Sequence, residues 1–254
     1  MTWLIGAILA GAIALIALRA HALTGGGALA AFVVGTITYG VGTWAFTVVL
    51  LAFFIPSVLL SRLGRARKRA LVDVGKQGPR DAAQVLANGG VATLCALAYG
   101  LHPEPSWSYA FVGAYAAATA DTWATEIGTL ARGKPRSILT FRPIEPGLSG
   151  GITLWGTLAA LAGSVWTVTI AVAALGVGGV PIVIAGFVGA TADSVLGATL
   201  QELRRCPACE RFCETDPHAC GTPSHRVRGL SWMTNDLVNA LATAAGAALA
   251  FAFL

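Results

Sequence analysis

The chain has 254 residues, of which 11% are charged and 56% hydrophobic, with 31 glycines and a formal net charge of +5. An ordinary soluble domain is about 25% charged, and a soluble monomer rarely exposes the large apolar patches that this composition would leave on its surface. The composition therefore excludes a water-soluble globule and favours a polytopic membrane protein, whose positive charge concerns membrane topology and not nucleic-acid binding.

Apolar segments long enough to span a bilayer recur along the chain. The first is interpreted as a retained span and not as a signal peptide, because its first positive charge, Arg19, follows the apolar run instead of preceding it. The stretch 25–61 allows two interpretations, one bent helix or two short helices that turn at residues 40–42. One bent helix gives seven spans, and two short helices give eight. The eight apolar segments are 3–18, 28–39, 43–60, 82–101, 107–130, 152–175, 181–200 and 230–254.

The basic residues favour eight spans. All 17 Lys and Arg residues fall in four places, at Arg19 and within 62–80, 132–142 and 204–228, and the loops 101–106 and 176–180 contain none. Loops rich in Lys and Arg stay in the cytoplasm, and only eight spans place all four groups on one face. We therefore expect both termini outside a prokaryotic cell membrane, although the short second segment could instead be re-entrant or interfacial.

The acids within the spans lie at a single depth. An ionisable residue in a transmembrane segment is costly and indicates a functional site by default. Because an α-helix rises 1.5 Å per residue, the five acids of the spans all lie within about 17 Å of the face that carries the basic loops. These acids are Asp81, Asp121, Glu126, Asp193 and Asp236. Because Asp121 and Glu126 are five residues apart, their helix lies at the centre of the bundle or is locally distorted.

A faint internal repeat supports paired structural units. Thr119-Ala120-Asp121-Thr122 recurs as Thr191-Ala192-Asp193-Ser194, and Leu23-Thr24-Gly25-Gly26 recurs as Leu148-Ser149-Gly150-Gly151. Repeats of this kind place equivalent helices around a shared site in membrane proteins. The repeat predicts that Asp121 and Asp193 lie at equivalent positions.

The chemistry that this residue set suits is phosphate binding. Carboxylates flanked by Asn and Thr are the oxygen ligands that Mg²⁺ uses when it also binds substrate phosphates. Nearby cations can clamp phosphate oxygens: Lys76, Arg80, Arg132, Lys134, Arg136 and Arg142. Glycine-rich turns let the backbone approach a ligand. The pattern predicts a site where a nucleotide from the cytosol meets a lipid phosphate.

Several motifs carry a family resemblance that covers nearly the whole chain in order. They are Gly75-Lys76-Gln77-Gly78-Pro79-Arg80-Asp81, Val85-Leu86-Ala87-Asn88-Gly89-Gly90, Ala120-Asp121-Thr122-Trp123-Ala124-Thr125-Glu126-Ile127-Gly128, Ser149-Gly150-Gly151-Ile152-Thr153, Asp193-Ser194, Gly197-Ala198-Thr199-Leu200-Gln201 and Trp232-Met233-Thr234-Asn235-Asp236. The sequence resembles the integral membrane family called domain of unknown function 92, which includes transmembrane protein 19 and the plant phytyl phosphate kinase.

The resemblance implies phosphoryl transfer from a nucleoside triphosphate, CTP by preference, to an isoprenoid monophosphate such as phytyl or geranylgeranyl phosphate. Asp121, Ala124 and Gly128 also form an element similar to one in CTP-using polyprenol kinases. Residue pattern and resemblance together assign Asp121, Glu126, Asp193 and Asp236 as catalytic, the first three as Mg²⁺ ligands. The expected phosphate and substrate residues are Lys76, Arg80, Asp81, Asn88, Ser149, Gly150, Gly151 and Asn235.

A polar loop at 202–228, within a single transmembrane domain of residues 1–254, concentrates four of the five cysteines. The spacing of Cys206 and Cys209 is typical of a metal knuckle, and a tetrahedral Zn²⁺ site needs four ligands from the six candidates: Cys206, Cys209, Cys213, His218, Cys220 and His225. The family resemblance favours Cys206, Cys209, His218 and Cys220, with Cys213 as a local extra. We expect a structural clip.

Two other function classes fit parts of the pattern. A secondary transporter also has repeats and intramembrane carboxylates, but its site lies near the bilayer centre with access to both faces. A CTP-dependent lipid cytidylyltransferase would have a similar metal site and release pyrophosphate. The one-sided depth of the acids favours an enzyme that meets membrane lipids and a cytosolic nucleotide, while a homo-oligomeric state stays open.

Overall fold

The computed structural model describes residues 1–64, 68, 76, 78–131 and 133–253. Seven helices lie in this part of the chain: α1 (Thr2–Arg19), α2 (Gly25–Arg62), α3 (Ala82–Leu101), α4 (Pro105–Leu130), α5 (Leu154–Leu175), α6 (Val180–Thr199) and α7 (Asn235–Ala252). The predicted all-α transmembrane bundle is confirmed. Some residues singled out from the sequence lie outside the described residues: Arg132 of the expected phosphate clamp, and Gly75 and Gln77 of a family motif.

Two small antiparallel sheets lie at one end of the bundle. In the first, β1 (Arg136–Ser137) pairs with β2 (Gly151–Ile152), so the long loop between α4 and α5 folds back on itself. In the second, β3 (Leu203–Arg205) lies between β4 (Phe212–Cys213) and β5 (His225–Arg228). Both connections are therefore ordered structures that can hold side chains against the helices.

The helices differ in how well they suit a lipid environment. Five of them, α1, α2, α3, α5 and α6, are long and apolar enough to cross a membrane. The helix α4 contains Asp121 and Glu126, yet every residue in 110–120 is buried, because α2, α3, α5, α6 and α7 surround it. The sequence left two possibilities for this helix, a position at the centre of the bundle or a local distortion, and the central position is confirmed.

The helix α2 reverses direction within its length. Thr43 has φ +55° and ψ −149°, which interrupts the helix, and the Trp3 ring at the start of α1 packs against Gly40. Arg62 donates a hydrogen bond to the carbonyl of Ala20, just beyond the end of α1, at 2.5 Å. Residues 25–42 and 44–62 are thus two antiparallel legs. The structure contains the reversal that eight crossings require, one residue beyond the predicted turn.

The loops that carry the positive charge meet at the same end of the bundle, here called the basic end. Arg80 and Leu23 form a short parallel bridge there, and Arg62 reaches Ala20. At the opposite end Trp107 at the start of α4 packs against Phe251 near the end of α7, with ring centroids 4.8 Å apart. The grouping of basic loops predicted from the sequence is therefore present in the fold.

The boundaries of two helices differ from the prediction. The last helix begins at Asn235 and not at Leu230, because the Thr234 side chain accepts a hydrogen bond from the Leu237 N–H and caps the helix at that point. The helix α4 begins at Pro105 and not at Trp107, since proline suits the first position of a helix. The later start of α7 places Asn235 and Asp236 in its first turn.

Glycines bring the helices around α4 into close contact. A Cβ atom on Gly113 would collide with Gly246 and Ala250 of α7, and a Cβ atom on Gly189 of α6 would collide with Ala117 of α4. Small residues at helix crossings let backbones approach closely in membranes. This packing fixes α4, α6 and α7 relative to one another, and these helices carry Asp121, Asp193 and Asp236.

Candidate functional site

A polar cavity of about 830 Å³ lies at the basic end, between α3, α4, α5, α6, α7 and the loops that precede and follow them. The predicted site residues that line it are Lys76, Arg80, Asn88, Asp121, Glu126, Ser149, Gly150, Gly151, Asp193, Asn235 and Asp236. The remaining one, Asp81, stands beside the cavity and contacts Lys76. The fold thus brings together residues that are up to 160 positions apart.

Three acids form the deepest part of the polar cavity. Asp121 of α4 and Asp193 of α6 are close enough for their carboxylates to repel each other, and Asp193 also faces Glu214. One oxygen of Asp193 is buried and has no hydrogen-bond partner among the described residues. Buried charge without a partner is costly, so this group of acids is a candidate site for a cation.

Sequence reasoning missed Glu214, which enters the cavity from the cysteine-rich loop. Its carboxylate accepts a hydrogen bond of 2.5 Å from the Ser149 hydroxyl, and burial raises its pKa to about 7. Glu214 directly follows Cys213, the last residue of β4, and β4 pairs with β3. No spacing in the sequence predicts this, because the contact depends on the path of the loop in three dimensions.

A second group of charges lies where α3 and α7 begin. The Lys76 ammonium donates to Asp81 at 2.8 Å and to Asp236 at 2.6 Å. Asp81 caps α3 by accepting from the Gln84 N–H, while the Gln84 side chain accepts from the Asp81 N–H. The hydrogen bond from Lys76 lowers the pKa of Asp81. Lys76 therefore joins the first turns of two helices at the cavity rim.

Glu126 differs from the other predicted metal ligands because it is already paired. The Lys68 ammonium contacts its carboxylate at 2.5 Å and also donates to the carbonyl of Leu60 at 2.7 Å. Arg80 also lines the cavity and interacts electrostatically with Glu126, but its guanidinium forms no salt bridge within the described part of the chain. Arg80 is therefore available to an anion.

The predicted glycine turn at 149–151 forms one wall of the cavity. Gly150 has φ +85°, and a Cβ atom there would overlap Ala198 of α6, so only glycine suits this position. Of the other cations in the expected phosphate clamp, the side chains of Lys134, Arg136 and Arg142 do not line the cavity. These three residues are exposed, and Arg136 instead donates to the carbonyl of Phe141. Their part in the phosphate clamp stays a prediction.

The cysteine-rich loop contains a compact cluster of possible metal ligands. The ligand atoms of Cys206, Cys209, His218 and Cys220 all lie within 4.8 Å of one another. The sulfurs of Cys206 and Cys220 are 3.6 Å apart, and Nδ1 of His218 is 3.1 Å from the Cys220 sulfur. Cys213 is buried outside this cluster. The four residues are those that the family resemblance favoured.

Arg204 holds the rest of this loop together. Its guanidinium contacts Glu202 at 2.8 Å and Asp216 at 2.7 Å, and it donates to the Ser224 carbonyl at 2.5 Å. Arg228 of the same sheet donates to the carbonyl of Gly197 in α6 at 2.9 Å. The loop is thereby fixed both internally and to the helix that carries Asp193.

Comparison with known proteins gives a consistent result. The family model described as "Integral membrane protein DUF92" matches residues 8–247. Protein PGR from Arabidopsis thaliana is 30% identical over 234 residues, which cover 81% of this chain and 78% of that protein. The uncharacterized membrane protein sll0875 from Synechocystis is 29% identical over 230 residues, covering 87% of this chain and 78% of that protein.

A more distant relative is Protein VTE6, chloroplastic, from Arabidopsis thaliana. It is 24% identical over 236 residues, which cover 90% of this chain and 64% of that protein. No solved structure matches the chain. The family match over residues 8–247 includes every segment that lines the polar cavity.

Proposed function

We propose, from the premise that this chain belongs to the DUF92 family of integral membrane proteins, that it is an isoprenoid-phosphate kinase. The reaction transfers the terminal phosphoryl group of a nucleoside triphosphate, CTP by preference, to a prenyl monophosphate such as phytyl or geranylgeranyl phosphate. An oxygen of the monophosphate attacks the terminal phosphorus, the bond to the nucleoside diphosphate breaks, and a prenyl diphosphate forms.

The observation that carries this proposal is the composition of one cavity. It combines the carboxylates of Asp121 and Asp193, the guanidinium of Arg80, which forms no salt bridge with a described residue, and the glycine turn at 149–151. Phosphoryl transfer requires positioning and neutralisation of charge more than a strong base. A monophosphate is already anionic near neutral pH, so these groups supply what the reaction needs.

The donor set fits Mg²⁺, which binds carboxylate oxygens and retains positions for phosphate oxygens. Asp121 and Asp193 would hold the ion, with Glu214 as a third acid. When bound by these acids, Mg²⁺ would neutralise the developing charge on the phosphate.

The remaining cavity residues have complementary roles. Arg80 and Lys76 bind phosphate oxygens, Asn88 and Asn235 orient the phosphates, and the backbone of Gly150 and Gly151 lies close to the nucleotide. Asp236 holds Lys76 in place at 2.6 Å. The basic end faces the cytoplasm in this proposal, because loops with many Lys and Arg stay there and the nucleotide is cytosolic.

The cysteine cluster suits a structural Zn²⁺ ion. Atoms bound to one zinc at about 2.3 Å in tetrahedral geometry lie about 3.7 Å apart, near the 3.6 Å that separates the sulfurs of Cys206 and Cys220. Hydrogen bonding to His218 lowers the pKa of Cys220 to about 5, and the thiolate is the form that binds metal. The clip would hold the loop that delivers Glu214 to the cavity.

The proposal is tested with purified protein, labelled CTP and phytyl or geranylgeranyl monophosphate. Formation of CDP and the prenyl diphosphate supports the kinase. Pyrophosphate together with a CDP-lipid would identify a cytidylyltransferase instead. No turnover with either prenyl phosphate and any common nucleoside triphosphate contradicts the proposal, and uptake assays in proteoliposomes would then test for a transporter.

A further inference from the structure

A second cavity, here called the apolar slot, lies between α1, both legs of α2 and α3. It has a volume of about 70 Å³, and its lining includes Leu9, Ala10, Ala31, Leu50, Phe54 and Val85. Gly6 and Gly35 also line it, and the small side chains on α1 and the first leg leave the open space. Because Gly6 and Ala14 of the lining are eight residues apart on α1, the slot extends about 12 Å along the helices.

The apolar slot adjoins the polar cavity. Arg80, Gln84 and Asn88 line both spaces, so these three side chains form their common boundary. The backbone of Arg80 is fixed there, since its N–H donates to the Ala22 carbonyl and its carbonyl accepts from the Thr24 N–H, both at 3.0 Å. A molecule that crosses this boundary passes from a charged environment into a hydrocarbon-like one.

The guanidinium of Arg80 at the boundary interacts electrostatically with the Glu126 carboxylate, which Lys68 already binds. The carboxylates nearest the boundary are paired, Glu126 with Lys68 and Asp236 with Lys76, and the guanidinium of Arg80 forms no salt bridge with any residue that the structure describes. A half-buried cation next to an apolar space suits a ligand with an anionic head and a hydrocarbon tail. Beyond the boundary, the polar side-chain groups that line the slot are the hydroxyls of Tyr39, Thr47 and Tyr115.

We infer that the apolar slot binds the hydrocarbon chain of a single-chain phospholipid substrate while its phosphate contacts Arg80 in the polar cavity. A space of about 70 Å³ holds the part of one hydrocarbon chain next to its phosphate and has no room for two chains, which favours prenyl phosphates over diacyl lipids. The identity of the reaction rests on the proposed function, whereas the position of the chain rests on the continuity of the two spaces.

Photolabelling tests the position of the chain without requiring turnover. Purified protein is irradiated with a single-chain alkyl phosphate that carries a diazirine in its tail, and the labelled peptides are identified by mass spectrometry. We expect labels on α1, α2 and α3 that geranylgeranyl monophosphate displaces. Labels confined to other helices would overturn the inference even if the kinase activity is found, and labels in the slot without turnover would uphold it while the kinase proposal fails.

A matched pair of substitutions tests the position of the chain by kinetics. Ala31→Phe narrows the slot, whereas Val33→Phe adds a similar ring on the same leg at a lipid-facing position that is 44% exposed. We expect Ala31→Phe to lower kcat/KM about tenfold for both geranyl and geranylgeranyl phosphate, because Ala31 lies one helical turn from Gly27, which packs against the Arg80 backbone, and both chains pass it. Val33→Phe leaves both values unchanged. No loss in Ala31→Phe, or an equal loss in Val33→Phe, would contradict the assignment.

Discussion

Asp193 is the residue whose charge is least compensated in the polar cavity. It faces Asp121 and Glu214, and one of its buried oxygens lacks a hydrogen bond among the described residues. Such an arrangement is unfavourable in the empty protein and becomes favourable when a cation binds. The electrostatic cost that the folded chain carries at this residue is therefore one that a bound cation would relieve.

Substitution of either central aspartate should separate activity from stability. In Asp121→Asn and Asp193→Asn we expect turnover to fall by at least about 100-fold, because charge stabilisation in the transition state is lost. The melting temperature in detergent should be unchanged or higher, since a repulsion is removed. Glu145→Gln, at an exposed loop position, serves as the control. Normal turnover in either aspartate variant would refute the assignment.

Glu214 should act on metal binding more than on folding. Glu214→Gln keeps a group that can accept the hydrogen bond from Ser149 but removes the negative charge next to Asp193. We expect the Mg²⁺ concentration for half-maximal turnover to rise about tenfold, measured as turnover against Mg²⁺ at saturating CTP. Glu210→Gln, in the same loop and exposed, should behave as wild type. An unchanged Mg²⁺ dependence in Glu214→Gln excludes Glu214 from the metal site.

Single residues also show what the sequence can and cannot predict about the site. Asp121, Asp193 and Asp236 were predictable because a charge inside an apolar segment stands out and the rise of a helix gives its depth. Glu214 was not predictable, because an acid in a polar loop is ordinary until the fold of the loop brings it against Ser149. The pairing of Glu126 with Lys68 likewise depends on a contact between positions 58 residues apart.

At the level of elements, the sequence predicts the hydrophobic length of α2 but not the exact position of its turn. Hydrophobic length alone predicts that residues 25–62 cross the membrane, but the exact turn depends on packing. The reversal occurs at Thr43, where the positive φ is unusual for a residue with a Cβ atom, and not at the glycines before it. Those glycines are used instead for close contact, as Gly40 is with Trp3.

The loop 202–228 should behave as a metal-dependent element. Elemental analysis of purified wild-type protein should find about one zinc per chain, and Cys206→Ser or Cys220→Ser should lose it, because a tetrahedral site needs all four ligands. Cys213→Ser is the matched control, since Cys213 is buried in the same loop but lies outside the cluster. Absence of zinc from the wild type, or equal loss from Cys213→Ser, would contradict the ligand set.

At the scale of the whole molecule, the two ends of the bundle differ in charge and in structure. The basic end carries the ordered loops and the polar cavity, while the other end has short connections that contain Glu104 and no Lys or Arg. The sequence predicts this asymmetry well, since charge distribution is visible without the fold. It predicts the neighbours of each helix poorly, because contacts such as Gly113 with Gly246 involve residues that occur throughout the chain.

The orientation of the molecule can be tested with a membrane-impermeant maleimide. We expect Glu104→Cys to be labelled in intact cells and Lys134→Cys only after permeabilisation, because positive loops remain in the cytoplasm. Both positions are exposed, and labelled peptides are assigned by mass spectrometry, which also distinguishes the native cysteines. The reverse pattern would place the polar cavity on the outer side of the membrane.

The close packing of α4, α6 and α7 has a consequence for lipid distribution between the two leaflets. The polar cavity lies at one end of these helices, and the glycine contacts around Gly113 and Gly189 fill the space between them further along. A phosphorylated headgroup that enters at the basic end therefore leaves by the same route. In the proposed reaction, substrate and product would share one monolayer, so the reaction would change the chemistry of that monolayer without moving lipid across the bilayer.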